Sequence, residues 1–180
     1  MKIVDVFDAI AHGTYNEFIE KIDGDINQIN SHTKLNLLQT TAINDNNSAD
    51  KLKIAEYLLA HNIDINYTGG KHSKNALHIL YSNFNILNSR HLLAMSKLLV
   101  ENGININQED AFGATPMQYL IAVNKISTLE LKDLFIYLLE NGANYSVKDN
   151  YGKNCLDYAK EFSWRNELIA IVKEFENGNK

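Results

Sequence analysis

The 180-residue chain has one cysteine and one proline. With Cys155 alone, no intramolecular disulfide can form, and a reducing compartment is the natural setting. No stretch reaches the ~18 consecutive apolar residues of a membrane-spanning helix. The opening run Lys2-Ile3-Val4-Asp5-Val6-Phe7-Asp8 puts acidic residues where a signal peptide needs an unbroken apolar core, so a soluble cytoplasmic protein is expected, with no membrane partner. Clusters of Lys and Arg are missing as well. With a net charge of -5, this speaks against a nucleic-acid ligand, because phosphate binding draws on such clusters. Gly, Ala and Arg are sparse beside Asn, Ile and Lys, which suggests AT-rich coding in a low-GC bacterium, a large DNA virus or a protist.

The remainder is ordinary globular material, 45% apolar and 22% charged, enough for one domain with a sizeable core. It repeats. Asn36-Leu37-Leu38-Gln39, Asn75-Ala76-Leu77-His78, Thr115-Pro116-Met117-Gln118 and Asn154-Cys155-Leu156-Asp157 recur roughly every 40 residues. Each leads into an apolar stretch. A second stretch follows at Tyr57-Leu58-Leu59, Leu98-Leu99-Val100 and Tyr137-Leu138-Leu139, then a turn at residues 62–66, 103–107 and 142–146. A two-helix unit of this kind cannot bury its apolar faces alone, so neighbours must stack, and the end units must present a polar outer side. Asp5, Asp8, Glu17 and Glu20 supply that side at the front; Arg165, Glu167, Lys173, Glu174 and Glu176 are expected to do so at the back.

These segments resemble the ankyrin repeat, with its T-P-L-H opening, paired leucines and G-A-D-I-N turn. Asp110-Ala111-Phe112-Gly113 and Asp149-Asn150-Tyr151-Gly152 look like its hairpin tips. The resemblance implies an all-α solenoid of stacked helix-turn-helix units joined by short hairpin-like loops. It covers nearly the whole chain as one domain: a degenerate unit over 1–30, units near 31–66, 67–107 and 108–147, a capping unit over 148–176 and a frayed tail at 177–180. The chain departs from the family in length, since an ankyrin unit has ~33 residues. The surplus falls between the two helices of a unit, at 44–50, 83–90 and 124–130. Ser48 and Ser89 are candidate N-caps there, and Ser127 to Glu130 fits a capping box. With Leu131, Leu134, Phe135, Leu138 and Leu139 at i, i+3, i+4, i+7 spacing, this predicts second helices lengthened at their starts.

Catalysis would need a nucleophile, base or metal cluster held by spacing. Cys155 sits in a packed helix start and reads as a buried structural thiol. The resemblance implies that His78 is hydrogen-bonded to neighbouring loops. His12, His32, His61, His72 and His91 show neither an i, i+4 pair nor zinc spacing. Asp23 and Asp25, and Glu109 with Asp110, are explained by turn chemistry. Gly69-Gly70-Lys71 lacks the spacing of a phosphate loop and reads as a widened hairpin tip. Trp164 is expected to shield the end of the core. No cofactor, metal or catalytic residue is therefore expected.

In ankyrin-like proteins the hairpin tips and the exposed side of each first helix line a concave groove. Carried over, that groove comprises His32, Thr33 and Leu35; Lys71, His72, Lys74, Ser82 and Asn83; Ala111, Phe112, Ala114, Ala122 and Val123; and Asn150, Tyr151, Lys153, Glu161 and Phe162. Phe112 and Tyr151 read equally well as contacts and as packing between hairpins. The expected function is binding, and sequestering or inhibiting, another protein. An immunity or antitoxin-type protein neutralising a toxin domain is the leading form, and an effector engaging a host protein the alternative. An enzyme built on the repeat scaffold is a remote third. The free chain is expected to be a monomer.

Overall fold

The computed structural model describes residues 2–84 and 86–178. Its helices come in successive pairs: α1 (Val6–His12) and α2 (Tyr15–Lys21), α3 (Leu37–Thr41) and α4 (Ser48–Ala60), α5 (Ala76–Ser82) and α6 (Ser89–Glu101), α7 (Pro116–Ala122) and α8 (Lys132–Glu140), α9 (Cys155–Glu161) and α10 (Asn166–Gly178). A 3-10 turn, Ser163–Arg165, separates the last two. First helices stack on first helices, α1 on α3, α3 on α5, α5 on α7 and α7 on α9, and the second helices α2, α4, α6, α8 and α10 form a parallel layer beside them. Between the layers lies one apolar core running from Val6 to Val172. Among the described residues there is no strand, only isolated bridges between Ile29 and Asn36 and between Gly69 and Lys74.

The recurring four-residue opening is a helix-start device. Gln39 N donates to Asn36 Oδ1 at 2.8 Å while Asn36 N donates back to Gln39 Oε1 at 3.1 Å. Asn75 with His78 and Asn154 with Asp157 repeat the exchange. The fourth residue of the opening also ties one pair to the next. Gln39 Nε2 donates to the Lys74 carbonyl at 2.5 Å, His78 Nε2 lies 2.9 Å from that of Ala114, and Gln118 Nε2 donates to that of Lys153 at 2.8 Å. The Ala114 carbonyl can only accept, so His78 Nε2 carries a proton toward it. Burial holds the His78 imidazole down to about 4, well below its ordinary range, so it stays neutral in this role.

The abundance of asparagine has a similar use at the opposite edge. Asn66 donates to the Gly103 carbonyl and accepts from Asn105 N at 2.7 Å; Asn107 donates to the Gly142 carbonyl and accepts from Asn144 N, both at 2.8 Å. One amide thus satisfies a donor and an acceptor that a surface turn would otherwise leave to water. Close approach also dictates Gly69, where a Cβ would collide with the Lys34 carbonyl oxygen and the ring of Tyr67.

Four expectations need correction. The helices following the surplus segments are capped one residue earlier than Ser48 and Ser89 suggest. Asn88 Oδ1 accepts from His91 N at 3.0 Å, and Asn47 sits in the left-handed region (φ 49°), which Asn tolerates, while its amide donates to the Gly13 carbonyl. α4 and α6 reach 13 residues, but α8 starts only at Lys132 and has 9, because the box at Ser127 is half made. Glu130 N donates to Ser127 Oγ, yet the Thr128 hydroxyl donates to the Trp164 carbonyl at 2.8 Å, which holds residues 128–131 as a turn against the next pair. At the tail, Asn177 and Gly178 continue α10; Asn179 and Lys180 lie outside the described residues.

The largest correction is Arg165. It is fully buried, not part of the polar outer side. Its guanidinium donates to the carbonyls of Leu120, Ile121, Asn124 and Ile126 at 2.6–3.1 Å, at the C-terminal end of α7. A helix ends with carbonyls that have no intrahelical partner and with the negative pole of its dipole, so a fork of donors there satisfies both. Lys51 does the same at the front of the stack, with Nζ 2.8 Å from the Ile10 carbonyl at the end of α1. Burial lowers the lysine to about 8 and the arginine to about 10.

Candidate functional site

The hairpins and first helices share one face of the stack, and the hairpins are joined in register along it. Gly70 N donates to the Lys34 carbonyl, Ala111 N to that of His72 and Asn150 N to that of Phe112, at 2.9–3.1 Å. This sequence of bonds orders the expected groove residues from His32 to Tyr151. His32, Thr33, Lys71, Ala111, Asn150 and Tyr151 are exposed at the tips. Leu35, His72, Lys74, Ser82, Phe112, Ala122, Val123, Lys153 and Phe162 are half-buried, Glu161 is exposed, and Ala114 is buried. Asn83 directs its amide to the Ile43 carbonyl, a bond between neighbouring pairs.

Five of these residues, Phe112, Ala114, Ala122, Val123 and Tyr151, line a cavity of about 250 Å³ between the α7 and α9 pairs. Its remaining wall is Gln118, Tyr119, Asp149 and Tyr158, residues that the sequence reading did not assign to a site. Phe112 is held on one side by the ring of His72, 4.8 Å away, and is half-buried as a consequence. Tyr151 is 71% exposed, the most open of the large apolar and aromatic side chains among the described residues.

The carboxylate in this wall, Asp149, and its counterpart Asp110 in the preceding hairpin each accept three hydrogen bonds. Asp149 Oδ1 accepts from the main chain of Tyr151 and Lys153, and Oδ2 accepts from the Tyr158 hydroxyl at 2.5 Å. Asp110 is used identically by Phe112, Ala114 and Tyr119, the last at 2.6 Å. Burial, reinforced by these bonds, raises both phenols above the usual tyrosine range. The signal was in the sequence, since Asp110 precedes Tyr119 by the same interval as Asp149 precedes Tyr158, but the tyrosines fall inside helical periodicity and read as core.

Nearby, Lys153 and Glu161 form an ion pair at 2.7 Å, which raises the lysine above its ordinary value. Lys74 Nζ stands 3.8 Å over the ring of Tyr119. Phe162 stacks on Trp164 with centroids 4.7 Å apart, and Lys125 lies 4.3 Å over the indole, so Trp164 is half-buried at the end of the groove. Cys155 is fully buried, and burial pushes its thiol up to about 12, which leaves no reactive thiolate at neutral pH. Among the described residues, no group of three or more His, Cys, Asp or Glu is placed to hold a metal ion, and no helix is long and apolar enough to cross a membrane.

No family model matches the chain. Three proteins resemble part of it, and all are named as ankyrin repeat proteins. YahD of Escherichia coli is 35% identical over 71 residues, 39% of this chain and 35% of that protein. FPV245 of fowlpox virus is 34% identical over 71 residues, 39% of this chain and 15% of its own length. T5 of rabbit fibroma virus is 41% identical over 56 residues, 31% of this chain and 10% of its own. The chain therefore spans about a third of the bacterial relative and far less of the viral ones.

Proposed function

The chain is an ankyrin-repeat protein, and from that premise we propose that it is a non-catalytic module whose concave face binds another protein. The observation that supports the reading most strongly is the apolar cavity at Phe112, Ala114, Ala122, Val123 and Tyr151. It lies on the face where hairpin tips and first helices of successive pairs meet, so one partner can touch several pairs at once. An anchor pocket with a polar surround is the anatomy of a protein interface, and a partner would cover the usual ~800 Å² per side. On this reading the chain is one domain divided near residues 31, 67, 108 and 148, acting in the cytoplasm as a free monomer. It sequesters or inhibits its partner, in the manner of an immunity protein against a toxin domain.

A second reading, an effector that engages a host protein, draws on the two viral relatives. Capture from the native source on immobilised protein, read by mass spectrometry, separates the two. One protein held stoichiometrically by the native chain, and released when Phe112 and Tyr151 are both replaced by Ala, supports groove binding. A captured enzyme whose toxicity the chain suppresses supports immunity, whereas a host factor supports the effector. If no protein is retained in proportion to the bait, the binding reading fails.

A further inference from the structure

The cavity beside α7 exists because one turn of the repeat departs from its neighbours. Lys74 and Lys153 stand about 40 residues either side of Ala114, and Ser82 and Glu161 stand in the same relation to Ala122. In the α9 pair, Lys153 and Glu161 close over the concave face with their ion pair. In the α7 pair the same two positions are alanines, so nothing crosses and the space stays open.

Resting on the protein-binding reading, we propose that this pocket seats one aromatic side chain projecting from an acidic segment of the partner. Its polar atoms are already satisfied from within. Tyr119 and Tyr158 donate to Asp110 and Asp149, and the Gln118 amide donates to the Lys153 carbonyl. What remains to be offered is apolar surface from Ala114, Ala122, Val123 and the rings of Phe112 and Tyr151. A dry cavity of ~150 Å³ takes benzene, so about 250 Å³ takes a phenyl or indole ring. Aromatic pairs at Phe112 and Tyr151 add offset or edge contacts beyond area alone.

By formal charge the surroundings are slightly positive although the chain is acidic, with Lys71, Lys74, Lys125 and Lys153 against Asp110, Asp149 and Glu161. Asp110 and Asp149 each accept from two main-chain N–H groups and a phenol, neutral donors that leave the carboxylate charge in place, and Glu161 is paired with Lys153. Lys71, Lys74 and Lys125 form no ion pair among the described residues. Lys74 stands over the Tyr119 ring of the socket, and an excess of cations around apolar surface selects an aromatic flanked by carboxylates and steers its approach.

The test uses two short capped peptides, tryptophan flanked by aspartates and tryptophan flanked by lysines, titrated into the ¹⁵N-labelled full chain and followed by amide shifts. The acidic peptide should perturb Phe112, Ala114, Ala122 and Tyr151 and bind at least about threefold more tightly than the basic one at low salt, a difference that shrinks at high salt. A114K/A122E, which copies the Lys153 and Glu161 closure, should abolish those shifts with an unchanged thermal midpoint. If that pair disturbs folding, Ala122→Leu fills the space without charge and should weaken binding at least tenfold. Absence of binding at millimolar peptide, equal binding of both peptides, shifts elsewhere on the stack, or indifference to both variants would overturn the assignment. Failure here is distinguishable from failure of the broader reading, because a native partner retained equally by A114K/A122E removes the pocket and leaves protein binding intact.

Discussion

α7 has two sides, and they are built on opposite terms. At its C-terminal end, the Leu120 and Ile121 carbonyls, and that of Asn124 just beyond, are met by the buried fork of Arg165, supplied by the following pair. On its concave side, Ala114, Ala122 and Val123 leave a void that no residue of the following pair enters. The same neighbour that locks one side leaves the other open. Saturation at the joint gives the stack its stability, and incompleteness on the concave face gives it something to bind with.

The hardest break should come at the joint. Arg165→Met removes four donors from buried carbonyls and leaves them without water, and should lower stability by at least ~3 kcal/mol. Urea unfolding followed by circular dichroism reads this; a loss under ~1 kcal/mol would mean that those carbonyls find other partners and that the joint is not what holds α7.

His78 sets a second, pH-dependent lock between pairs. Held near 4 in the folded chain against about 6.5 when unfolded, it takes up its proton first in the unfolded state as pH falls. Its contribution is complete above pH 6.5 and lost between 6.5 and 4, by up to about 3 kcal/mol. His91, also lowered by burial, adds in the same direction. Since Gln39 and Gln118 make the equivalent bridge without titrating, His78→Gln should flatten the stability-against-pH curve over that interval. An unchanged curve would assign the acid sensitivity to other groups.

On the open side, replacing Phe112 and Tyr151 together with Ala should cost at least ~2 kcal/mol of partner binding by isothermal titration while the unfolding midpoint moves little, because Tyr151 is exposed and Phe112 half-buried. The smallest effect is expected on the second-helix layer. Lys53, Lys97 and Lys132 changed to Ala should alter binding by less than ~0.5 kcal/mol. If these outer changes abolish binding and the groove pair does not, the partner uses the convex side or the segments between helices, where Phe84, Leu87 and Leu129 are exposed.

The sequence by itself determined the repeat, because its signals are local. The Asn36, Asn75, Thr115 and Asn154 openings, the paired apolar stretches and the asparagine turns each obey rules acting within a few residues, and stacking follows from the apolar faces they create. Local rules also carried the burial of Cys155, while the resemblance to the ankyrin repeat carried the hairpin tips and the hydrogen-bonded role of His78. Tertiary structure decided whatever depended on a partner about 40 residues away. Arg165 carries the pattern of a polar outer position and is fully buried, because the open end of α7 outbids water for its donors. The Thr128 hydroxyl bonds the Trp164 carbonyl, which holds residues 128–131 as a turn and so shortens α8. The pocket is a difference between neighbouring pairs, Ala114 with Ala122 against Lys153 with Glu161; only their juxtaposition across the α7 and α9 interface turned two small side chains into a cavity.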